Sequence, residues 1–246
     1  MKRPSLFIVM PAYNEGSNIK TVVKEWYPII KKFGNKESRL VVVDDGSKDD
    51  TLSILKSMSN SKSALNALTK KNSGHGATVL YGYNYALKHG ADFVFQTDSD
   101  GQTRPEEFEK FWNLKDKYDI IIGHREKRED GLSRIVVTRT LRRIVKWKFK
   151  VWAVDANTPY RLMSAKTLAE NIKFIPKDYN LANVILTVVY LKRHQKIKYL
   201  PITFRPRQGG INSINLKRIF NIGKFSLKDF SAINKSIDKK LKDKNH

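Results

Sequence analysis

Three apolar runs, each closing on a polar or acidic tip and each followed by a helical pattern, constrain this chain more than any other feature. Leu6-Phe7-Ile8-Val9-Met10 ends in Pro11-Ala12-Tyr13-Asn14-Glu15, and Leu40-Val41-Val42-Val43 ends in Asp44-Asp45-Gly46-Ser47. Phe93 to Thr97 ends in Asp98-Ser99-Asp100-Gly101-Gln102. The second run has no polar residue, as expected of a strand covered on both faces. Between the runs the period becomes helical: Ile19, Val22, Val23, Trp26 and Ile30 share one face of Asn18 to Phe33. Ser47 with Asp50 three residues on is a capping-box pattern and predicts a helix through Met58. Leu65 to Thr69 predicts a weaker strand, and Ala77 to His89 a helix after a glycine turn. Pro105 opens a predicted helix through Lys117, and Ile120-Ile121-Ile122 reads as a strand. Such alternation predicts an α/β fold with a mainly parallel sheet and helices on both faces. Ligands of such sheets bind beyond the carboxyl ends of the strands, where all three tips lie.

The second half loses the alternation. Ser133 to Trp152 carries Arg134, Arg139, Arg142, Arg143, Lys146, Lys148 and Lys150 with no acid, interleaved with Val137, Leu141, Ile144, Val145, Trp147 and Trp152. Thr158 to Met163 reads as a strand and Asn180 to Arg193 as a helix. Lys196 to Phe204 reads as extended, with Pro201 marking an edge or bend. Asn215 to Ile233 is amphipathic, and the basic polar tail 234–246 is expected to fray. With no repeat or low-complexity linker, residues 1–233 read as one domain of two halves, 1–125 and 126–233.

Charge narrows the partners. Lys and Arg number 47 against 24 Asp and Glu, a net charge of +23. Such an excess attracts polyanions: nucleic acid, anionic lipid or phosphorylated substrates. No helix-turn-helix, RNA-binding sheet motif or zinc spacing is visible, so nucleic acid is not an expected partner. The chain has no cysteine, so a metal would need oxygen or histidine ligands. No apolar stretch approaches the length of a spanning helix, and no signal-peptide pattern opens the chain. A cytoplasmic protein, peripheral at the cytoplasmic face of a membrane, is expected.

The tips carry chemistry. Asp98 and Asp100, one residue apart at a strand end, form a compact pair of hard oxygen donors suited to Mg²⁺ or Mn²⁺ carrying a diphosphate. Gln102 adds a neutral oxygen on the same side of an extended segment. Asp44 can accept hydrogen bonds from a nucleoside or cap a turn, and Glu15 can reach a ribose or open a helix. Asn72-Ser73-Gly74-His75-Gly76-Ala77 precedes a helix; its glycines allow a close backbone approach by phosphate. It lacks the Lys-Ser/Thr of a phosphate-binding P-loop and the third glycine of a dinucleotide fingerprint. His75 reads as a turn residue.

The order and spacing of these motifs resemble family 2 glycosyltransferases. More closely they resemble the branch that transfers mannose or glucose to polyprenyl (dolichyl) phosphate. Asp155-Ala156-Asn157-Thr158-Pro159-Tyr160-Arg161-Leu162 is similar to that branch's Asp…Gly-Phe-Arg-Leu segment, with Pro159 where the branch has glycine. Arg205-Pro206-Arg207-Gln208-Gly209-Gly210-Ile211-Asn212-Ser213 is similar to its Arg…Gly…Ser segment. The resemblance implies a GT-A fold and inverting transfer of a hexose from a nucleoside-diphosphate sugar. It implies that Pro11, Tyr13, Glu15 and Asp44 hold the nucleoside and that Asp98, Asp100 and Gln102 bind metal and diphosphate. It further implies that Arg125 contacts an acceptor phosphate, that Arg207 reaches the site from the late loop, and that an integral-membrane partner assists.

The acceptor is a separate question. A phosphate monoester is largely dianionic near neutral pH, its second pKa being ~6, and attacks without a base. Arg125, Arg134, Arg139 and Arg207 could hold it beside an anionic donor. A sugar hydroxyl needs a carboxylate to take its proton, and Asp155 is the candidate. The single acid in Val154-Asp155-Ala156 favours a polyprenyl-phosphate acceptor over a hydroxyl. The Ser133–Trp152 segment fits a membrane surface or a solvated helix.

Overall fold

The structure, a computed structural model, describes residues 3–125, 132–205 and 216–243, and within these no side chain of 132–138 or 216–228. A seven-stranded sheet runs in the order β3-β2-β1-β4-β6-β5-β7. Its strands are β1 (Leu6–Ala12), β2 (Arg39–Asp44), β3 (Leu65–Thr69), β4 (Phe93–Gln96), β5 (Ile120–Arg125), β6 (Arg161–Ser164) and β7 (Ile197–Ile202). All pairings are parallel except the two made by β6, which lies antiparallel between β4 and β5. The expected α/β sheet is present, and the carboxyl ends of β1, β2 and β4 point to one crest.

The pleat sorts the apolar residues to two cores. Phe7, Val9, Val41, Val43, Val94, Ile120, Ile122 and Met163 face one side of the sheet. There they meet α3 (His75–Lys88), α5 (Leu132–Phe149), α7 (Ala182–Lys192) and α8 (Leu216–Lys242). Leu6, Ile8, Met10, Leu40, Val42, Phe95, Ile121 and Leu162 face the other, against α1 (Ile19–Phe33) and α2 (Thr51–Ser61). On that side Phe95 stacks edge-on against Phe108 and Tyr160, at 4.9 and 4.7 Å. Trp26 lies 5.3 Å from Phe95. Phe108 and Phe111 come from α4 (Phe108–Trp112).

Four local expectations are corrected. The helix predicted from Pro105 to Lys117 is a 3₁₀ turn, Pro105–Glu107, then only α4. Beyond Trp112 the chain bonds at three-residue spacing, Leu114 N–H to Phe111 O and Lys117 N–H to Leu114 O, before turning into β5. The Ser47/Asp50 capping box does not form. Asp49 accepts from the Thr51 N–H at 3.1 Å instead, and Ser47 Oγ accepts from the Asn14 N–H at 2.9 Å. The strand predicted to start at Thr158 begins at Arg161, because Asp155 ties residues 157 and 158 into a turn. The tail expected to fray from residue 234 continues α8 to Lys242. Ile237 is fully buried there, and Lys192 Nζ donates to Asp238 Oδ1 at 2.5 Å. Among the described residues no helix is long and apolar enough to cross a membrane.

Candidate active site

The crest is assembled by loops that bind one another. The loop after β1 is stapled repeatedly to the loop after β2 and to the start of α2. Asn14, whose φ of 54° is in the left-handed region that asparagine tolerates, accepts from the Lys48 N–H at 2.8 Å. The Glu15 N–H donates to Thr51 Oγ1 at 2.8 Å, and the Gly16 N–H to Asp49 Oδ2 at 2.9 Å. Ser99 Oγ donates to Pro11 O at 2.8 Å, which draws the loop after β4 onto the same crest. Tyr13 projects from it, 43% exposed, while Glu15 is 5% exposed and accepts from Asn18 Nδ2 at 2.9 Å.

The two acids at the end of β2 are buried and bonded within the protein. Asp44 Oδ2 accepts from Thr69 Oγ1 at 2.8 Å, and Asp44 Oδ1 from the Ser47 N–H at 3.2 Å. Asp45 holds the next loop: it accepts from Lys70 Nζ, from the Ser73 N–H at 3.0 Å and from the Gly74 N–H at 2.9 Å. Burial alone would raise the Asp45 pKa. The Lys70 and backbone hydrogen bonds with the Lys70 charge outweigh it and hold the carboxyl below its ordinary value. The glycines of this loop have a reason other than phosphate. A Cβ on Gly76 would lie 2.0 Å from Tyr179 O, and one on Gly74 2.3 Å from Asn180 Oδ1. The space expected for a ligand is filled by the chain before α7.

His75, read from the sequence as a turn residue, is the first residue of α3, and its Nε2 lies 3.2 Å from Asp98 Oδ1. The only sequence signal for it was that its loop follows a strand ending at the same crest. Asp98 is pushed up to about 8 by loss of water, then by the charges of Asp100 and Glu15, with Arg125 and Arg161 pulling it back. Carboxylates that repel one another at one tip, flanked by neutral donors, have the chemistry of a hard-cation site. Among the described residues no three His, Asp or Glu side chains form a metal cage alone. The pair therefore fits a cation that takes its remaining oxygens from ligand phosphates, as Mg²⁺ commonly does. Gln102 is held beside it: its N–H donates to Asp100 Oδ1 at 3.0 Å and its Nε2 to Arg205 O at 3.4 Å.

Cations close the other side of the crest. Arg125, at the end of β5, stacks its guanidinium 3.5 Å above the Phe204 ring. Arg205 Nε donates to Gly101 O at 2.6 Å, and its Nη2 pairs with Glu25. This pins the start of the late loop to the Asp98–Gln102 turn; Arg207 itself lies outside the described residues, as does the side chain of Arg134. Asp155 is 9% exposed, and its Oδ1 accepts from the Asn157 and Thr158 N–H groups. Below it sits Arg161, fully buried, which sequence reading met only inside the Asp155–Leu162 segment. Its guanidinium donates to Thr158 O, Ala156 O, Asn183 O and Thr187 Oγ1, at 2.8 to 3.3 Å. One side chain thus ties the Asp155 turn to α7.

Comparison with known proteins agrees with this architecture. A glucosyl-3-phosphoglycerate synthase from Mycobacterium tuberculosis, solved with phosphoglyceric acid, superposes with a TM-score of 0.69 at 17% identity, over 93% of this chain and 80% of that one. The same enzyme with Mn²⁺, UDP-glucose and phosphoglyceric acid gives 0.68 at 16% identity, over the same shares. S. aureus TarS gives 0.55 at 20% identity, over 81% of this chain and 60% of that one. These likenesses establish a GT-A fold. In sequence, the chain is 26% identical over 225 residues to an undecaprenyl-phosphate 4-deoxy-4-formamido-L-arabinose transferase of Pectobacterium atrosepticum. That match takes in 89% of this chain and spans 62% of the relative's length. Residues 7–169, which carry the crest from β1 through β6, match the family described as glycosyl transferase family 2, and the chain belongs to that family.

Proposed function

We propose that the chain is an inverting, divalent-cation-dependent hexosyltransferase moving a sugar from a nucleoside diphosphate to a polyprenyl phosphate. The observation that carries this is the clustering of Asp98 and Asp100 with Glu15 on one side and Arg125 on the other, at the crest of a GT-A sheet. A related sequence is named for transfer involving undecaprenyl phosphate, and a structural neighbour was solved with Mn²⁺ and UDP-glucose. The domain, expected to end at residue 233, runs on to the end of α8 at Lys242, with 1–125 taking the donor and the remainder the acceptor. The protein works peripherally at the cytoplasmic face of a membrane, beside an integral-membrane partner.

In this reading Pro11, Tyr13, Glu15 and Asp44 line the nucleoside end. Asp98, Asp100 and Gln102 would hold Mg²⁺ or Mn²⁺, which when bound offsets the charge on the departing diphosphate. His75 lies against Asp98 and orients it. Arg125 and Arg207 hold the acceptor phosphate opposite the leaving group. One phosphate oxygen forms the bond to the anomeric carbon as the bond to the nucleoside diphosphate breaks. The electron pair leaves with the diphosphate, and attack from the opposite face inverts the centre. A phosphate needs no base for this step, so Asp155 serves to shape the acceptor turn.

The test is incubation with Mn²⁺, radiolabelled nucleotide sugars and undecaprenyl phosphate, followed by extraction into organic solvent. Label in the organic phase is expected and names the donor. Donor binding without extractable label would overturn the lipid-phosphate acceptor, move transfer to a sugar hydroxyl and make Asp155 its base. Lack of any nucleotide-sugar binding would overturn both.

A further inference from the structure

Among the described residues the most exposed large apolar side chains are Trp147 and Trp152, at 61% and 53%. They stand on and just after α5. The inner face of that helix is fixed against α8: Val145 and Phe149 are buried, and the Phe149 and Phe230 rings lie 5.1 Å apart. Lys148 Nζ donates to Ser231 Oγ at 3.0 Å. The outer face therefore cannot turn inward. It carries Arg139, Arg143, Lys146 and Trp147, all exposed at helical spacing, with exposed Lys150 just past the helix end, and the stretch from Ser133 to Trp152 has no acid. The indoles are sheathed by cations, Lys148 4.0 Å from the Trp147 ring and Lys146 5.3 Å from that of Trp152. Arg142 also lies over Trp152, and its Nη2 donates to Val154 O at 2.5 Å, one residue before Asp155.

We infer that this outer face of α5 docks on an anionic lipid bilayer, with Trp147 and Trp152 entering the headgroup boundary. Exposed indoles flanked by Lys and Arg are what an interfacial helix needs: the rings bury in the boundary while the cations meet lipid phosphates. The surface is a helix face rather than a groove that could track a nucleic-acid backbone between stacked bases. The Arg142 bond makes the docked face continuous with the Asp155 turn, so docking sets the acceptor side of the crest at the membrane plane. The purpose of the contact rests on the lipid-phosphate reading above; the contact itself does not.

The chain reports on itself, because its other tryptophans, Trp26 and Trp112, are 1% and 9% exposed. The experiment is tryptophan emission of the full chain with vesicles of phosphatidylcholine, with and without phosphatidylglycerol, whose acyl chains are brominated near the headgroup. Quenching is expected only with phosphatidylglycerol, and the Trp147→Ala/Trp152→Ala variant should lose it while keeping its fold and its nucleotide-sugar binding. Replacing Arg143, Lys146 and Lys150 by Gln should weaken vesicle binding about a hundredfold. Unquenched emission in bound wild-type protein, or quenching that survives the double tryptophan change, overturns the proposal. So does an equal emission change on duplex RNA that anionic vesicles fail to compete away. Quenching without transfer to undecaprenyl phosphate leaves the docking standing and removes the acceptor reading. Transfer to that lipid without quenching does the reverse.

Discussion

Asp98 and Asp100 stood out in the sequence as a candidate cation pair because that chemistry needs only adjacency at a strand end. Asp100→Ala is expected to abolish transfer while the far-ultraviolet spectrum stays unchanged; full activity of that variant in EDTA would remove the metal from the mechanism. Asp155→Asn should cost less than tenfold with a phosphate acceptor, because the amide oxygen can still accept from the Asn157 and Thr158 N–H groups. A loss of ~1,000-fold would mark Asp155 as a base, a role worth at least ~100-fold. His75 and Arg161 were not legible. Nothing in Asn72–Ala77 says that its histidine meets a carboxylate 23 positions on, and a buried guanidinium held by carbonyls has no local pattern. Arg161→Met leaves the carbonyl of Thr158 without its donor, while Ala156 O and Asn183 O keep the Thr187 hydroxyl. An unpaired buried group costs about 1–3 kcal/mol, so denaturant unfolding should report a loss of that size.

At the scale of elements, the β strands and the long helices followed from periodicity, and the failures have local causes. The capping box lost to Asp49, which sits closer to the helix start and also bonds the loop after β1. Helix α8 outran its predicted end because Ile237 finds a buried place that a basic tail does not advertise. The glycine loop shows how a motif and its cause can part. Gly74 and Gly76 stand at the start of a helix as expected, but Tyr179 and Asn180 occupy the room they leave. Gly76→Ala should therefore destabilise by about 1–3 kcal/mol, the usual cost of overpacking. Retained stability would return the glycine to a ligand-binding role. The same loop should loosen in acid. The Asp45 carboxyl is depressed in the fold, so its stabilisation is complete above its unfolded value and fades as pH falls through the lower folded one. The protection factors of the Ser73 and Gly74 amides should fall below about pH 4, and Asp45→Asn should remove that dependence.

At the scale of the molecule, the parallel half of the sheet was readable from alternation. The order β4-β6-β5 was not, since strand order is set by long-range pairing that no local window contains. The halves 1–125 and 126–233 are therefore not separable bodies: β6 comes from the second half and pairs with β4 of the first. A fragment ending at Arg125 should leave the inner edge of β4 unpaired and apolar. Size-exclusion chromatography is expected to find it aggregated, and a monodisperse fragment would overturn this. The interleaving has a consequence for biogenesis. A ribosome must finish residue 164 before the N-terminal sheet acquires its missing neighbour, and the whole of α5 is made in between. For that interval the nascent chain carries an open, sticky strand margin, and synthesis pauses or trigger-factor-like holdases acting between codons 97 and 161 would bear directly on its yield.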